Sequence, residues 1–127
     1  MTYLIDTQVL LWALEENTLL SKQAQSLLID PANVLLVSTA SLWELAIKVN
    51  IGKLALSQPL SEIIARLPEA DLAILPIETK HILEVELLPL IHRDPFDRMI
   101  IAQAISEGLQ IISSDGIFSQ YPVIVQW

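Results

Sequence analysis

Four acidic residues, far apart in the sequence, could together bind a divalent metal ion: Asp6, Glu44, Asp97 and Asp115. Clustered carboxylates repel one another and raise one another's pKa values unless a cation lies among them. The chain has no cysteine and only two histidines. Oxygen ligands would therefore dominate, which favours Mg²⁺ or Mn²⁺ over zinc. Such an ion polarises a phosphodiester and activates water, so no nucleophilic side chain is needed.

Each of these acids also has a structural interpretation. Asp6 suits the N-cap of a helix that follows the first strand. Glu44 could pair with Lys48 one turn later, although an acid within an apolar stretch is costly to bury without a positive partner. Asp115 precedes a glycine, as turn residues often do. Taken one at a time, the acids leave both interpretations open.

The stretch HRDPFDR, residues 92–98, raises the same question twice. Asp94 precedes Pro95, which suits the first position of a helix, so Asp94 is expected at the N-cap. Asp97 lies three residues later and resembles a capping-box partner, although Glu or Gln is usual there. Arg98 either contacts substrate phosphates or balances the neighbouring acids.

Apolar runs separated by helical patterns predict an α/β/α sandwich with a central, mainly parallel sheet of five strands. Strands are predicted near residues 3–5, 34–37, 73–76, 109–113 and 123–125, and helices near 7–14, 21–30, 40–49, 59–67, 79–88 and 95–107. Thr79 is expected to cap the fifth helix, and His81 to be partly exposed on it. A chain of 127 residues suits one domain, residues 1–127. Because ligands of such sheets bind beyond the carboxyl ends of the strands, we expect the four acids to meet there.

Composition limits the possible partners. The chain has 15 acidic and 7 basic residues, a net charge of −8, whereas a non-specific nucleic-acid binder is normally basic. Nucleic acid is therefore expected only if something at the site, such as a divalent ion, neutralises phosphate. Hydrophobic residues make up 53%, so apolar surface should remain for a protein partner. We expect no signal peptide, no membrane span and a cytoplasmic location.

Over essentially its whole length the sequence resembles PIN-domain proteins of the VapC type, the toxins of type II toxin–antitoxin systems. The resemblance lies in LIDT (4–7), SLWELAIK (41–48), HRDPFDR (92–98) and ISSD (112–115). It implies a metal-dependent endoribonuclease that uses Mg²⁺ or Mn²⁺. The catalytic and metal-binding residues it implies are Asp6, Glu44, Asp97 and Asp115.

The resemblance also assigns supporting roles and partners. Thr7, Ser113, Asp94 and Arg98 are expected to support the site or position substrate, and Ser113 stands where the family often has threonine. The implied partners are RNA, a cognate antitoxin and a second copy of the chain, with no membrane. The alternative is an inactive PIN domain that only binds RNA or protein. A haloacid-dehalogenase-type phosphatase is disfavoured because Gln8 replaces the second aspartate of its Asp-x-Asp motif, and a receiver domain because Asp6 has no acidic neighbour.

Overall fold

The computed structural model describes residues 1–127, which form five β-strands and six α-helices. The strands are β1 (Thr2–Ile5), β2 (Val34–Ser38), β3 (Leu72–Leu75), β4 (Gln110–Ile112) and β5 (Val125–Gln126). The helices are α1 (Thr7–Glu15), α2 (Lys22–Ile29), α3 (Thr39–Asn50), α4 (Leu60–Arg66), α5 (Thr79–Leu87) and α6 (Pro95–Glu107). Short 3₁₀ helices cover Asn17–Leu19, Leu67–Ala70 and Phe118–Gln120.

The five strands form one sheet in the order β3-β2-β1-β4-β5, and every pairing is parallel. In the centre, Tyr3 of β1 is in register with Leu35 on one side and Gln110 on the other. This confirms the predicted fold class. Because all strands run in the same direction, their carboxyl ends, and the residues that follow them, lie at one edge of the sheet.

Both faces of the sheet are covered, which explains why the strands are continuously apolar. Side chains along a strand alternate between faces. Tyr3 and Ile5 therefore pack in a core cluster that includes Val9 of α1 and Leu45 of α3, whereas Leu4 packs in a second cluster with residues of α6. A parallel sheet covered in this way gains most of its stability from burial of apolar surface.

The helix ends near the carboxyl edge are fixed by local sequence. Asp6 caps α1 directly after β1, and Ser38 caps α3 directly after β2. Asp94 caps α6, as predicted. At the other end of α6, Gly108 adopts φ +68°, the left-handed conformation that glycine tolerates best, and the chain turns into β4. At the carboxyl edge, the ends of β1 and β2 are thus followed directly by capped helices, whereas Gly108 turns the chain at the opposite edge, before β4.

Three local expectations are wrong. The N-cap of α5 is Glu78 rather than Thr79. His81 is fully buried, because its ring nitrogens contact the Glu78 backbone and the Glu107 carboxylate. β5 starts at Val125, two residues later than predicted, because a hydrogen bond from Val123 N–H to the Tyr121 carbonyl keeps that stretch in a turn. No helix here combines the length and the apolar character that a membrane span needs.

Candidate active site

A polar cavity of about 390 Å³ opens at the carboxyl edge of the sheet. Its nine lining residues include no hydrophobic side chain: Asp6, Thr7, Gln8, Glu44, Lys48, Asp94, Asp97, Ser114 and Asp115. Five of them are acidic, and Lys48 is the sole lysine or arginine among them. The structure therefore brings all four predicted acids into one place. We call this cavity the acidic pocket.

Asp6 both caps α1 and lines the acidic pocket. Its Oδ1 accepts a hydrogen bond of 2.8 Å from the Val9 N–H, and its Oδ2 accepts one from the Ser113 hydroxyl. Only 4% of the residue is exposed. Burial, opposed by these two hydrogen bonds and reinforced by the charges of Asp115 and Glu44, raises the pKa of Asp6 from 3.8 to about 6. Asp6 therefore caps a helix and also lines the pocket, and its metal-binding role stays a prediction.

Glu44 is buried at the pocket and held by one hydrogen bond and one ion pair. Its Oε1 accepts a 2.7 Å hydrogen bond from the Thr7 hydroxyl, and its Oε2 lies 2.9 Å from Lys48 Nζ. Thr7 Oγ1 also lies 2.9 Å from Ser41 Oγ. Thr7 has a single hydroxyl proton and gives it to the carboxylate, so Ser41 is the donor in that second contact. Lys48 balances Glu44, as expected.

Ser41 is a residue of this site that the sequence interpretation missed. It is fully buried and holds Thr7, which in turn holds Glu44. Its position three residues before Glu44 places the two on the same face of α3. That spacing is the signal from which Ser41 could have been identified.

Asp97 lies in the first turn of α6 and faces the pocket, with His92 beside it. Asp97 Oδ2 is 3.3 Å from His92 Nε2. Burial raises the pKa of Asp97 to about 6, with contributions from the charges of Asp94 and Glu44 and an opposing effect of His92. Asp94 Oδ1 accepts hydrogen bonds of 2.9 Å from the backbone N–H groups of Phe96 and Asp97. Asp94 therefore fixes the backbone that carries Asp97.

Asp115 lies in the turn after β4 and is the most exposed of the four predicted acids. Its Oδ1 accepts a 3.0 Å hydrogen bond from the Ile117 N–H, as its turn sequence suggested. Its own N–H donates to Ser113 Oγ at 3.0 Å. Because Ser113 also donates to Asp6, this one hydroxyl links the ends of β1 and β4.

Arg98 has a structural role in the loop beside the pocket. Its Nη1 donates to the carbonyl oxygens of Pro89 at 2.9 Å and His92 at 3.3 Å, and to the Tyr121 hydroxyl at 3.1 Å. These bonds brace the loop before α6, and the role of Arg98 in supporting the site or positioning substrate stays a prediction. One of these contacts involves Tyr121, which the sequence did not indicate as a residue near the site.

Comparison with known proteins decides the family. A family model described as the PIN domain matches residues 3–124. The chain belongs to the PIN-domain family. No curated protein matches this PIN domain significantly by sequence.

Solved structures share the fold of this PIN domain at low sequence identity. VapBC2 of Rickettsia felis, bound to a promoter DNA fragment, is 18% identical with a TM-score of 0.74, over 99% of this chain and 98% of that one. FitAcB of Neisseria gonorrhoeae is 19% identical with a TM-score of 0.64, over 97% and 95%. VapBC-5 of Mycobacterium tuberculosis, of the VapBC family of toxin–antitoxin systems, is 21% identical with a TM-score of 0.60, over 98% and 95%.

The acidic pocket of this PIN domain suits a hard divalent ion. Apart from Lys48, all the ionisable side chains that line it are carboxylates. Burial and repulsion from neighbouring acids raise the pKa values of Asp6 and Asp97. No three of its carboxylates place a ligand atom within 4.8 Å of one another. This spacing is too wide for a closed cage of side chains. The spacing agrees with the usual coordination of Mg²⁺, which binds one or two carboxylates directly and retains several water ligands.

A second polar cluster lies at the far end of α6, about 15 Å along the helix from Asp97. There, one ligand atom from each of Glu78, His81 and Glu107 lies within 4.8 Å of the others. Lys80 Nζ is 2.9 Å from Glu107 Oε1 and 3.7 Å from Glu78 Oε2. We call these four residues the paired cluster, since its carboxylates already face cationic or hydrogen-bond-donating groups.

Proposed function

We propose that this PIN domain is a divalent-metal-dependent endoribonuclease that acts as the toxin of a toxin–antitoxin pair. The observation that carries the proposal is the acidic pocket, in which five acids face a single lysine at the carboxyl edge of the sheet. Negative charge concentrated in this way calls for a cation. A bound cation would also let so acidic a protein approach the phosphates of RNA.

Asp6, Glu44 and Asp97 would hold Mg²⁺ or Mn²⁺ directly or through its waters, and Asp115 would complete the negative charge around it. When bound, the ion would supply the positive charge that polarises a phosphodiester and activates water. Hydrolysis would form a bond between water oxygen and phosphorus and break the bond to the 3′ oxygen. The products would then carry a 5′-phosphate and a 3′-hydroxyl.

Hydroxyl groups would keep the carboxylates in place. Ser113 holds Asp6 Oδ2, and Thr7, itself held by Ser41, holds Glu44 Oε1. Each of these bonds engages one oxygen of a carboxylate and orients the other. Preorganisation of this kind lets the site accept an ion without first reordering its side chains.

The proposed partners are an antitoxin and a second copy of the chain, in the cytoplasm where the RNA substrate is found. Large apolar side chains exposed on and after α5 support a protein partner: Ile82, Leu83, Leu87 and Leu90 are 54–75% exposed. Surface of this kind is normally covered in a complex. Light scattering of the chain alone and together with the product of a neighbouring antitoxin gene tests both partners.

The central test is cleavage of RNA by the purified protein. With Mg²⁺ we expect new ends that carry a 5′-phosphate, and we expect none with EDTA or in Asp6→Asn. Glu86→Gln, at an exposed acid on α5, is the matched control and should cleave normally. Cleavage at full rate in EDTA would refute the metal-dependent mechanism. Tight RNA binding without cleavage would favour the inactive binding domain.

A further inference from the structure

Tyr121 and His92 form a hydrogen-bonded pair behind Asp97, although 29 residues separate them in the sequence. Tyr121 is 3% exposed and follows the last 3₁₀ helix, and His92 precedes α6. The Tyr121 hydroxyl oxygen lies 2.7 Å from His92 Nδ1, 3.2 Å from the His92 backbone nitrogen and 3.1 Å from Arg98 Nη1. Three protein groups therefore converge on one buried phenol.

Counting protons fixes the direction of each bond. A phenol has one proton to donate and two positions at which it accepts. The backbone N–H of His92 and the guanidinium of Arg98 can only donate, so they take the two accepting positions. The phenol proton is left for His92 Nδ1, which must accept it and so carries no proton itself.

This places the proton of neutral His92 on Nε2, the nitrogen that faces Asp97 Oδ2 at 3.3 Å. His92 therefore donates to that carboxylate oxygen. No protein donor contacts Asp97 Oδ1, and Asp97 lines the acidic pocket, so this oxygen is free to accept a ligand. Asp94 and Glu44 repel Asp97, so a donor that holds one of its oxygens opposes rotation of the carboxylate away from the pocket.

We propose that Tyr121 and His92 are a positioning pair for Asp97: Tyr121 keeps the imidazole proton on Nε2, and His92 holds Oδ2 so that Oδ1 is presented to a divalent ion. The ion rests on the proposed function, whereas the hydrogen-bond arrangement does not. Ligating carboxylates are commonly held by such outer hydrogen bonds, and loss of one typically costs about 10- to 100-fold in metal affinity.

The first experiment needs no metal. Nitrogen-15 NMR of the imidazoles in the metal-free protein should show His92 with its proton on Nε2. In Tyr121→Phe, Nδ1 loses its donor, and the spectrum should shift towards a mixture of the two tautomers. A proton on Nδ1 in the unaltered protein, or an unchanged spectrum in Tyr121→Phe, would overturn the pair.

The second experiment measures the dissociation constant of Mn²⁺ by electron paramagnetic resonance. His92→Leu removes the donor and should weaken Mn²⁺ binding by roughly 10- to 100-fold. His92→Gln keeps an N–H at a similar reach and should recover most of the affinity. Ile105→Ala, near the far end of α6, is the control for general destabilisation and should lower the melting temperature without changing Mn²⁺ affinity.

The outcomes separate the two proposals. If the unaltered protein binds Mn²⁺ and His92→Leu binds it equally well, the positioning pair is wrong and the proposed function stands. If the unaltered protein binds no Mn²⁺, the metal-dependent function fails, and the NMR experiment decides the Tyr121–His92 arrangement by itself.

Discussion

The two ends of α6 each carry a cluster of ionisable side chains, and the clusters differ in how their negative charge is balanced. At the N-terminal end, burial and neighbouring acids raise the pKa values of Asp6 and Asp97 to about 6. In the paired cluster, hydrogen bonds from Lys80 and His81 lower the pKa of Glu107, and the bond to Glu107 raises the pKa of Lys80. The acidic pocket therefore has five acids for one lysine, whereas the paired cluster has two acids for one lysine and a hydrogen-bonding histidine.

We expect the paired cluster to be the poorer metal site, although it is the more compact of the two. The paired cluster has the closer ligand atoms, yet the Lys80 ammonium already provides its positive charge. His81 Nδ1 accepts the Glu78 N–H, so its proton is on Nε2 and points at Glu107, which leaves no lone pair there for an ion. The acidic pocket is wider, and of its five acids Glu44 alone has a lysine partner, Lys48.

The largest expected effect comes from one substitution in each cluster. The opposite result would overturn the contrast between the two clusters. Asp97→Asn removes a charge from the acidic pocket and should lower both Mn²⁺ affinity and RNA cleavage by at least about 100-fold. Glu107→Gln keeps an oxygen to accept from buried His81 and should change neither. Calorimetric titration with Mn²⁺ and a cleavage assay measure the two effects. Loss of Mn²⁺ binding in Glu107→Gln alone would make the paired cluster the metal site.

A smaller effect is the pH dependence of stability in the metal-free protein. Asp6 has a higher pKa when folded than its ordinary 3.8, so at pH 5 the folded state keeps a proton that the unfolded state has lost. This retained proton stabilises the folded state relative to the unfolded state, and the stabilisation disappears as the pH rises through about 6. From pH 5 to 7.5 the free energy of unfolding should fall by about 1.4 kcal/mol on account of Asp6.

Urea unfolding in EDTA at the two pH values measures this change. Asp6→Asn has no ionisable group there and should reduce the pH dependence. Adding Mn²⁺ should stabilise the protein more at pH 7.5, where the carboxylates are ionised, than at pH 5. Stability that rose with pH in EDTA, with no difference between Asp6→Asn and the unaltered protein, would mean that burial does not raise the pKa of Asp6.

The smallest expected effect separates the capping acid of the pocket from the acids that would hold the ion. Asp94→Ala removes the acceptor for two backbone N–H groups and should cost about 1 kcal/mol of stability. Asp94→Asn keeps an acceptor oxygen and should stay near the original stability. Both variants should still cleave RNA at pH 7.5, and an inactive Asp94→Asn would place Asp94 among the ion-binding residues.

Much of the fold could be predicted because its signals are local. Pro95 after Asp94 and Gly108 after Glu107 delimit α6, since proline suits the first turn and glycine the left-handed end. The order of strands and helices predicted the parallel sheet, and that topology alone places Asp6 and Asp115 at one edge. Their catalytic and metal-binding roles, and the single domain of residues 1–127, stay predictions.

The tertiary structure alone decided how each ionisable group is partnered, because partnering depends on distances between residues far apart in the sequence. His81 is buried against Glu107, 26 residues away, and its sequence looked like that of an ordinary helix surface. Arg98 braces carbonyl oxygens, and Tyr121 directs the proton of His92 towards Asp97. The sequence by itself determined which acids reach the same edge of the sheet, whereas only packing determined which groups from distant parts of the chain hold them.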